Sequence, residues 1–134
     1  MNERWARIYL KAMAAYWLIF GLITLFVPSL MSLFQTPAGV AAGTAFSNHV
    51  WMHDGLDILA VSALVFAASQ APINRMMLGA AGLAALLPTL GIANSLISTP
   101  YWSPLFLVPF IGCLAFSVWG FALASRRTLA PSPA

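Results

Sequence analysis

Residues 76–97 read MMLGAAGLAALLPTLGIANSLI and contain no charged side chain. A helix of about 20 such residues spans the roughly 30 Å hydrocarbon core of a bilayer. Backbone amides in lipid need partners within their own segment, so we expect this run to be helical. Its many glycines and alanines allow another helix to approach closely, and Pro88 should bend its axis. The stretch therefore predicts a tightly packed membrane-crossing helix.

Three more apolar runs of similar length flank this one, at residues 8–34, 49–69 and 105–124. The whole chain is 61% hydrophobic and only 7% charged, whereas soluble domains average about 25% charged residues. We therefore predict an all-α fold, an integral membrane four-helix bundle. Residues 1–127 should form its single domain, and residues 128–134 a tail rich in proline and serine.

The basic residues predict how the bundle is oriented. The chain has a net charge of +3, but its basic residues lie at helix ends and form no nucleic-acid-binding face. They occur near the start of the first run, in the second connection and after the fourth run: Arg4, Arg7, Lys11, Arg75, Arg126 and Arg127. Cytoplasmic segments carry such an excess of lysine and arginine. We expect both termini to be cytoplasmic and the membrane to be a bacterial inner membrane.

The second run opens with the sequence HVWMHDGLD at residues 49–57, where ionisable groups enter the apolar zone. At about 100° per residue, His53, Asp57 and Asp54 lie at about 40°, 80° and 140° from His49, on one side of the helix. Asp57 is about 12 Å deeper than His49. An ionised carboxylate at that depth must be paired, hydrated or protonated.

The third run offers polar partners, Asn94 and Ser95, at the same depth, if the second and third helices are adjacent. Trp51 and Tyr101 are expected in the aromatic belt at the outer membrane–water interface. These four residues and His49 are therefore the expected binding residues of an outward-facing pocket. The inner half of the same face is apolar, which argues against a channel. Thr24 and Ser62 are expected to bond back to their own helices.

Three interpretations of this cluster remain open. The polar groups can simply fix helix register. Alternatively, His53 and Asp57 form an acid–base pair, with Asp54 sharing the proton, that acts on a small lipophilic molecule. In the third interpretation His49, His53 and Asp57 bind a metal. The sequence identifies no cofactor, although one histidine could also be an axial ligand to a haem or chlorophyll.

A single cysteine, Cys113, lies in the fourth run and excludes an internal disulfide or a cysteine-based metal site. We expect it to be a buried packing residue. Tyr16 and Trp17 in the first run, and Phe106 among the aromatic residues of the fourth run, are likewise expected to serve packing.

The layout resembles the small bacterial four-helix membrane proteins of the DoxX-like kind. The similarity lies in residues 26–34, FVPSLMSLF, and in Arg75 before the third run. This resemblance implies a four-helix membrane protein and assigns no functional residue. The working hypothesis is a membrane protein whose His/Asp/Asn pocket binds or converts a lipophilic molecule. The rival is a non-catalytic accessory subunit that contacts membrane lipid and either a larger membrane complex or further copies of itself.

Overall fold

A computed structural model of the chain describes residues 3–42 and 45–125. Within these ranges it describes the side chains of all residues except 42–50. All regular elements in these ranges are helical. The five α-helices are α1 (Glu3–Phe26), α2 (Pro37–Ala42), α3 (Ala45–Gln70), α4 (Arg75–Ser98) and α5 (Leu107–Ser125). Two 3₁₀ segments, Pro28–Phe34 and Pro104–Phe106, precede α2 and α5. Arg126, Arg127 and the tail at 128–134 lie outside the described residues.

Four helical segments of the described chain are long and apolar enough to cross a membrane. They are Glu3–Phe26, Trp51–Gln70, Arg75–Ser98 and Pro104–Ser125. This confirms the all-α fold and the four predicted spans. The start of α1 and the end of α5 lie at one end of the bundle, because the rings of Tyr9 and Trp119 are in contact there, 5.3 Å apart. This end is called the terminal end below.

The first span differs from its predicted bounds of 8–34. Its α-helix begins five residues earlier and ends at Phe26, and the remainder, Pro28–Phe34, is a 3₁₀ helix. Proline disfavours helical geometry in the residue before it, and Val27 accordingly leaves the helix with φ −134° and ψ 56°. Pro28 therefore ends the α-helix within the predicted first run.

The bundle consists of two tightly packed helix pairs, α1 with α3 and α4 with α5. In the first pair a Cβ added to Gly55 would lie 2.8 Å from the backbone nitrogen of Leu25, so the two backbones are in contact. Ser62 donates to the carbonyl of Ala14 across the same pair, at 2.8 Å. The expectation that Ser62 bonds to its own helix is therefore wrong.

In the second pair, α4 and α5 approach closely where each helix has a glycine. A Cβ added to Gly120 would lie 2.8 Å from the Cα of Gly82. Tyr9 of α1 packs against this crossing, with its ring 6.3 Å from that of Phe116. The two spans that were expected to face each other, α3 and α4, belong to different pairs, and a cavity separates them.

The first and third connections meet at the other end of the bundle, the capped end. Gln35 and Trp102 form an isolated antiparallel bridge. The backbone N–H of Thr36 donates to Tyr101 at 2.8 Å, and that of Ser103 donates to Phe34 at 2.8 Å. These bonds satisfy backbone groups that would otherwise be unpaired. They hold the two connections together across this end of the bundle.

At the terminal end, polar side chains satisfy the free backbone groups of the helix ends. Arg7 donates to the carbonyl of Ser69, near the end of α3, at 2.6 Å, and pairs with Glu3 at 2.5 Å. Asn74 precedes α4 and accepts from the backbone N–H of Met77 at 2.8 Å. Asn74 is therefore the N-cap of the third span.

Replacing Asn74 by alanine should lower the free energy of unfolding by about 1 kcal/mol, the usual value for an N-cap. Unfolding by dodecyl sulfate in mixed micelles, followed by circular dichroism, measures this change. Asn74→Asp is the control, because aspartate caps helices equally well and should retain the stability. Equal stability of the alanine and aspartate variants would contradict the assignment of this cap.

Candidate functional site

A cavity of about 420 Å³ lies between the two helix pairs, in the half of the bundle toward the capped end. Ligand pockets in proteins range from about 300 to 1,000 Å³, so its size suits a small organic molecule. Its lining comes from four helices and both connections: Tyr16, Trp17, Phe20, Thr24, Met31, Phe34, Trp51, Asp54, Asp57, Ile58, Pro88, Gly91, Ile92, Ser95, Trp102, Phe106, Pro109 and Cys113.

One wall of the cavity carries two carboxylates, Asp54 and Asp57. They are two of the three acidic residues in the whole chain. Gly55, between them, is buried against α1. The close approach that this glycine allows fixes the rotation of α3, and at this rotation both aspartates line the cavity, Asp54 half-buried and Asp57 exposed. No lysine or arginine is among the described lining residues.

Aromatic rings form the wall and roof at the capped end. Trp102 and Phe106 are stacked, with ring centres 4.3 Å apart and planes 13° apart. Trp51 meets Trp102 edge-on, at 6.0 Å and 85°. Because both tryptophans line the cavity, their perpendicular rings form a corner. Phe34 continues the roof, 6.0 Å from Phe106.

Helix α1 supplies a third wall, in which most polar atoms already have partners. Tyr16 donates to the carbonyl of Pro109 at 3.3 Å, and its hydroxyl lies 3.9 Å from the sulfur of Cys113. Thr24 donates to the carbonyl of Phe20 at 2.7 Å, the back-bond predicted for it. Cys113 is buried, as expected.

Trp17 is the exception on this wall. Its side chain is only 6% exposed, and its indole N–H has no hydrogen-bond partner among the described residues. It lines both the main cavity and an adjoining one of about 190 Å³, and Asp57 lines both as well. A buried donor without a partner costs about 1–3 kcal/mol, and the indole nitrogen lies within the wall, where it has almost no accessible surface.

Four of the residues predicted for the site line the cavity: Asp54, Asp57, Ser95 and Trp51. Three others, His53, Asn94 and Tyr101, are exposed and are not among the lining residues.

The three residues off the cavity have other contacts. Asn94 accepts hydrogen bonds from Ser98 through its carbonyl and side-chain oxygens. The carbonyl of Tyr101 accepts from Thr36. His53 interacts electrostatically with Asp54. Asp57 thus lines the cavity and His53 does not, and the His53–Asp57 acid–base pair stays a prediction.

The structure leaves the metal hypothesis open. No group of three or more histidine, cysteine, aspartate or glutamate residues suited to a metal occurs among the described side chains. His49, the first of the three proposed ligands, lies outside the described side chains. A His49, His53 and Asp57 metal site therefore stays a prediction.

Sequence reasoning assigned to packing three residues that line the cavity, Tyr16, Trp17 and Phe106. A signal for two of them was present in the first run. Positions 16, 17, 20 and 24 follow the helical spacing that places side chains on one face, and all four line the cavity. This stripe of aromatic and hydroxyl side chains identifies the face of α1 that looks into the bundle interior.

The polar character of the site ends near the middle of the bundle. Toward the terminal end, the groove between α3 and α4 is lined only by apolar residues, among them Val61, Leu64, Val65 and Ala68. This agrees with the apolar inner face read from the sequence. The described residues thus provide no polar path from this cavity along the groove between α3 and α4.

No protein family, curated protein or solved structure matches this chain. The cavity and its lining residues are therefore the basis for a proposal of function.

Proposed function

We propose that this protein binds a small lipophilic molecule in the cavity between its two helix pairs. We place it in the bacterial inner membrane, with both termini and the terminal end of the bundle in the cytoplasm. The observation that carries the proposal is the cavity itself, a space of about 420 Å³ lined by both carboxylates and aromatic rings from several helices.

The polar atoms of the cavity fit this role. Ligand pockets are mostly apolar and contain a few polar groups that orient the bound molecule. Here Asp54 and Asp57 offer acceptors. A molecule that reaches the cavity from the bilayer would leave its apolar part against the aromatic rings and direct its polar atoms to these two side chains.

Binding is favoured over chemical conversion by the position of His53. Conversion through the predicted acid–base pair requires both members beside the bound molecule, and His53 is not a lining residue. Binding requires only the space and its polar groups. The carboxylates therefore serve recognition in this proposal.

Filling the cavity provides a test. A Cβ added to Gly91, a lining residue, meets no atom within 4 Å, so Gly91→Phe should place a ring in open space without disturbing the helices. We expect this variant to bind a small aromatic probe at least about tenfold more weakly. Quenching of tryptophan fluorescence in maltoside micelles is the measurement, because three tryptophans line the cavity. The probe is neopentylbenzene, which is uncharged, with empty micelles as the blank.

Leu90→Phe is the matched control. Leu90 is the preceding residue of α4, is 56% exposed and is not among the lining residues. It should therefore accept the same ring on the lipid-facing surface and keep the affinity of the parent protein. Saturable binding that Gly91→Phe weakens and Leu90→Phe does not supports the proposal. The proposal is refuted if neither this probe nor its charged analogue, benzyltrimethylammonium, shows saturable binding.

A further inference from the structure

We infer that the cavity selects organic cations, namely lipophilic amines or quaternary ammonium compounds. This inference rests on the proposed function and names the class of molecule that the pocket takes. It is carried by the combination of two carboxylates and an aromatic corner that line one cavity.

The first feature is the charge of the cavity. Asp54 and Asp57 lie on one wall, and no lysine or arginine is among the described residues that line it. Histidine is likewise absent from the described lining. A carboxylate in an apolar membrane interior is expensive unless it is paired or neutralised. A bound cation supplies that pairing within the cavity.

The second feature is the arrangement of the rings. Trp51 and Trp102 meet at 85° and both line the cavity, and Phe106 extends the face of Trp102 by stacking on it. The negative face of an aromatic ring attracts cations, tryptophan most strongly, and cages of such rings recognise quaternary ammonium groups. A ligand with apolar substituents around its charge gains from these faces and from the apolar walls at once.

The same lining is unsuited to the competing ligands. Hard metal ions such as calcium take about six to eight oxygen ligands, and the cavity wall offers two carboxylates and few other oxygens. Organic anions would be repelled by the carboxylates. Neutral molecules fit the apolar surface but form no charge pair with either carboxylate. An organic cation is the class that uses both the charged and the aromatic wall.

The inference is tested with two probes of the same shape. Benzyltrimethylammonium and neopentylbenzene differ by the exchange of a charged nitrogen for carbon. Binding of each to the full chain in maltoside micelles is measured by quenching of tryptophan fluorescence. We expect the cation to bind at least about tenfold more tightly than the neutral probe, and Gly91→Phe to weaken both.

Substitution of the carboxylates gives a second, independent measurement. The Asp54→Asn/Asp57→Asn double variant should lose at least about tenfold in affinity for the cation and keep its affinity for neopentylbenzene. Glu3→Gln is the matched control, because Glu3 is the remaining acidic residue of the chain and pairs with Arg7 at the exposed end of α1. It should leave both affinities unchanged.

The two proposals fail in different ways. Equal or tighter binding of the neutral probe, or cation binding that the double variant retains, would overturn the selectivity for cations while ligand binding in the cavity stands. Absence of saturable binding of both probes would overturn the proposed function itself. The comparison of the two probes on the unmodified protein decides the question even where a variant does not fold.

Discussion

Gly120→Ala is expected to lower the free energy of unfolding by about 3 kcal/mol, the upper part of the usual range for overpacking. The added methyl group would lie 2.8 Å from the Cα and 3.0 Å from the backbone nitrogen of Gly82, and would also meet the hydroxyl of Tyr9. The tyrosine side chain can rotate away, but the backbone of α4 cannot yield without a shift of the whole helix. The α4–α5 pair must therefore open. Unfolding by dodecyl sulfate in mixed micelles, followed by circular dichroism, measures the loss.

Gly91→Ala is the control for this prediction, since its new methyl group meets no atom within 4 Å. It should leave the free energy of unfolding within about 1 kcal/mol of the parent value, because alanine is also the better helix former. If Gly120→Ala proved as stable as Gly91→Ala, the close crossing of α4 and α5 would be disproved.

Gly55→Ala should have a similar effect on stability, about 2–3 kcal/mol, and should also impair the site. Its methyl group would lie 2.8 Å from the nitrogen of Leu25 and 3.1 Å from the carbonyl oxygen of Gly21. Both are backbone atoms. The expected response is separation of α1 from α3 at the level of Asp54. Since these helices form two walls of the cavity, affinity for benzyltrimethylammonium should fall together with stability.

The matched control is Gly79→Ala in α4, where the methyl group would make only an ordinary contact with Ala124 at 4.0 Å. Gly79 is not a lining residue, so this variant should keep both stability and probe affinity. Loss of stability in Gly55→Ala without loss of affinity would show that the α1–α3 crossing does not shape the cavity. Unchanged stability would contradict the crossing itself.

The number, length and type of the spanning segments could be predicted from sequence alone. Residues 76–97 are long enough to cross a bilayer and carry no charge, and lipid leaves the backbone of such a segment no alternative to a helix. The end of the first helix was predicted less well. A proline near a helix end, such as Pro28, is compatible with a kink or with termination of the helix. The non-helical backbone of Val27 shows that the helix terminates there.

The candidate site was predicted in part. Asp54, Asp57, Ser95 and Trp51 were chosen from helical spacing, and all four line one cavity. His53 was chosen on the same grounds and lies off it. Spacing along one helix gives the side of that helix on which a residue lies, but the boundary of a cavity depends on where the neighbouring helices approach.

The helix pairing explains the remaining differences. The short turn between the second and third spans suggested that they face each other, yet the tight contacts join α1 with α3 and α4 with α5. In lipid, helix association depends on close packing of small residues more than on the hydrophobic effect. Contacts between glycines, such as Gly82 with Gly120, therefore outweigh proximity in sequence.

The sequence by itself determined that this chain has four helices long and apolar enough to cross a membrane, and that two of its three acidic residues lie near the start of the second. Both follow from local properties, the length of the apolar runs and the period of the helix. Only the tertiary structure decided that a cavity lies between two helix pairs and that Tyr16, Trp17 and Phe106 share it with the carboxylates. The position of a void depends on the sum of all close contacts between helices, and no single segment contains that information.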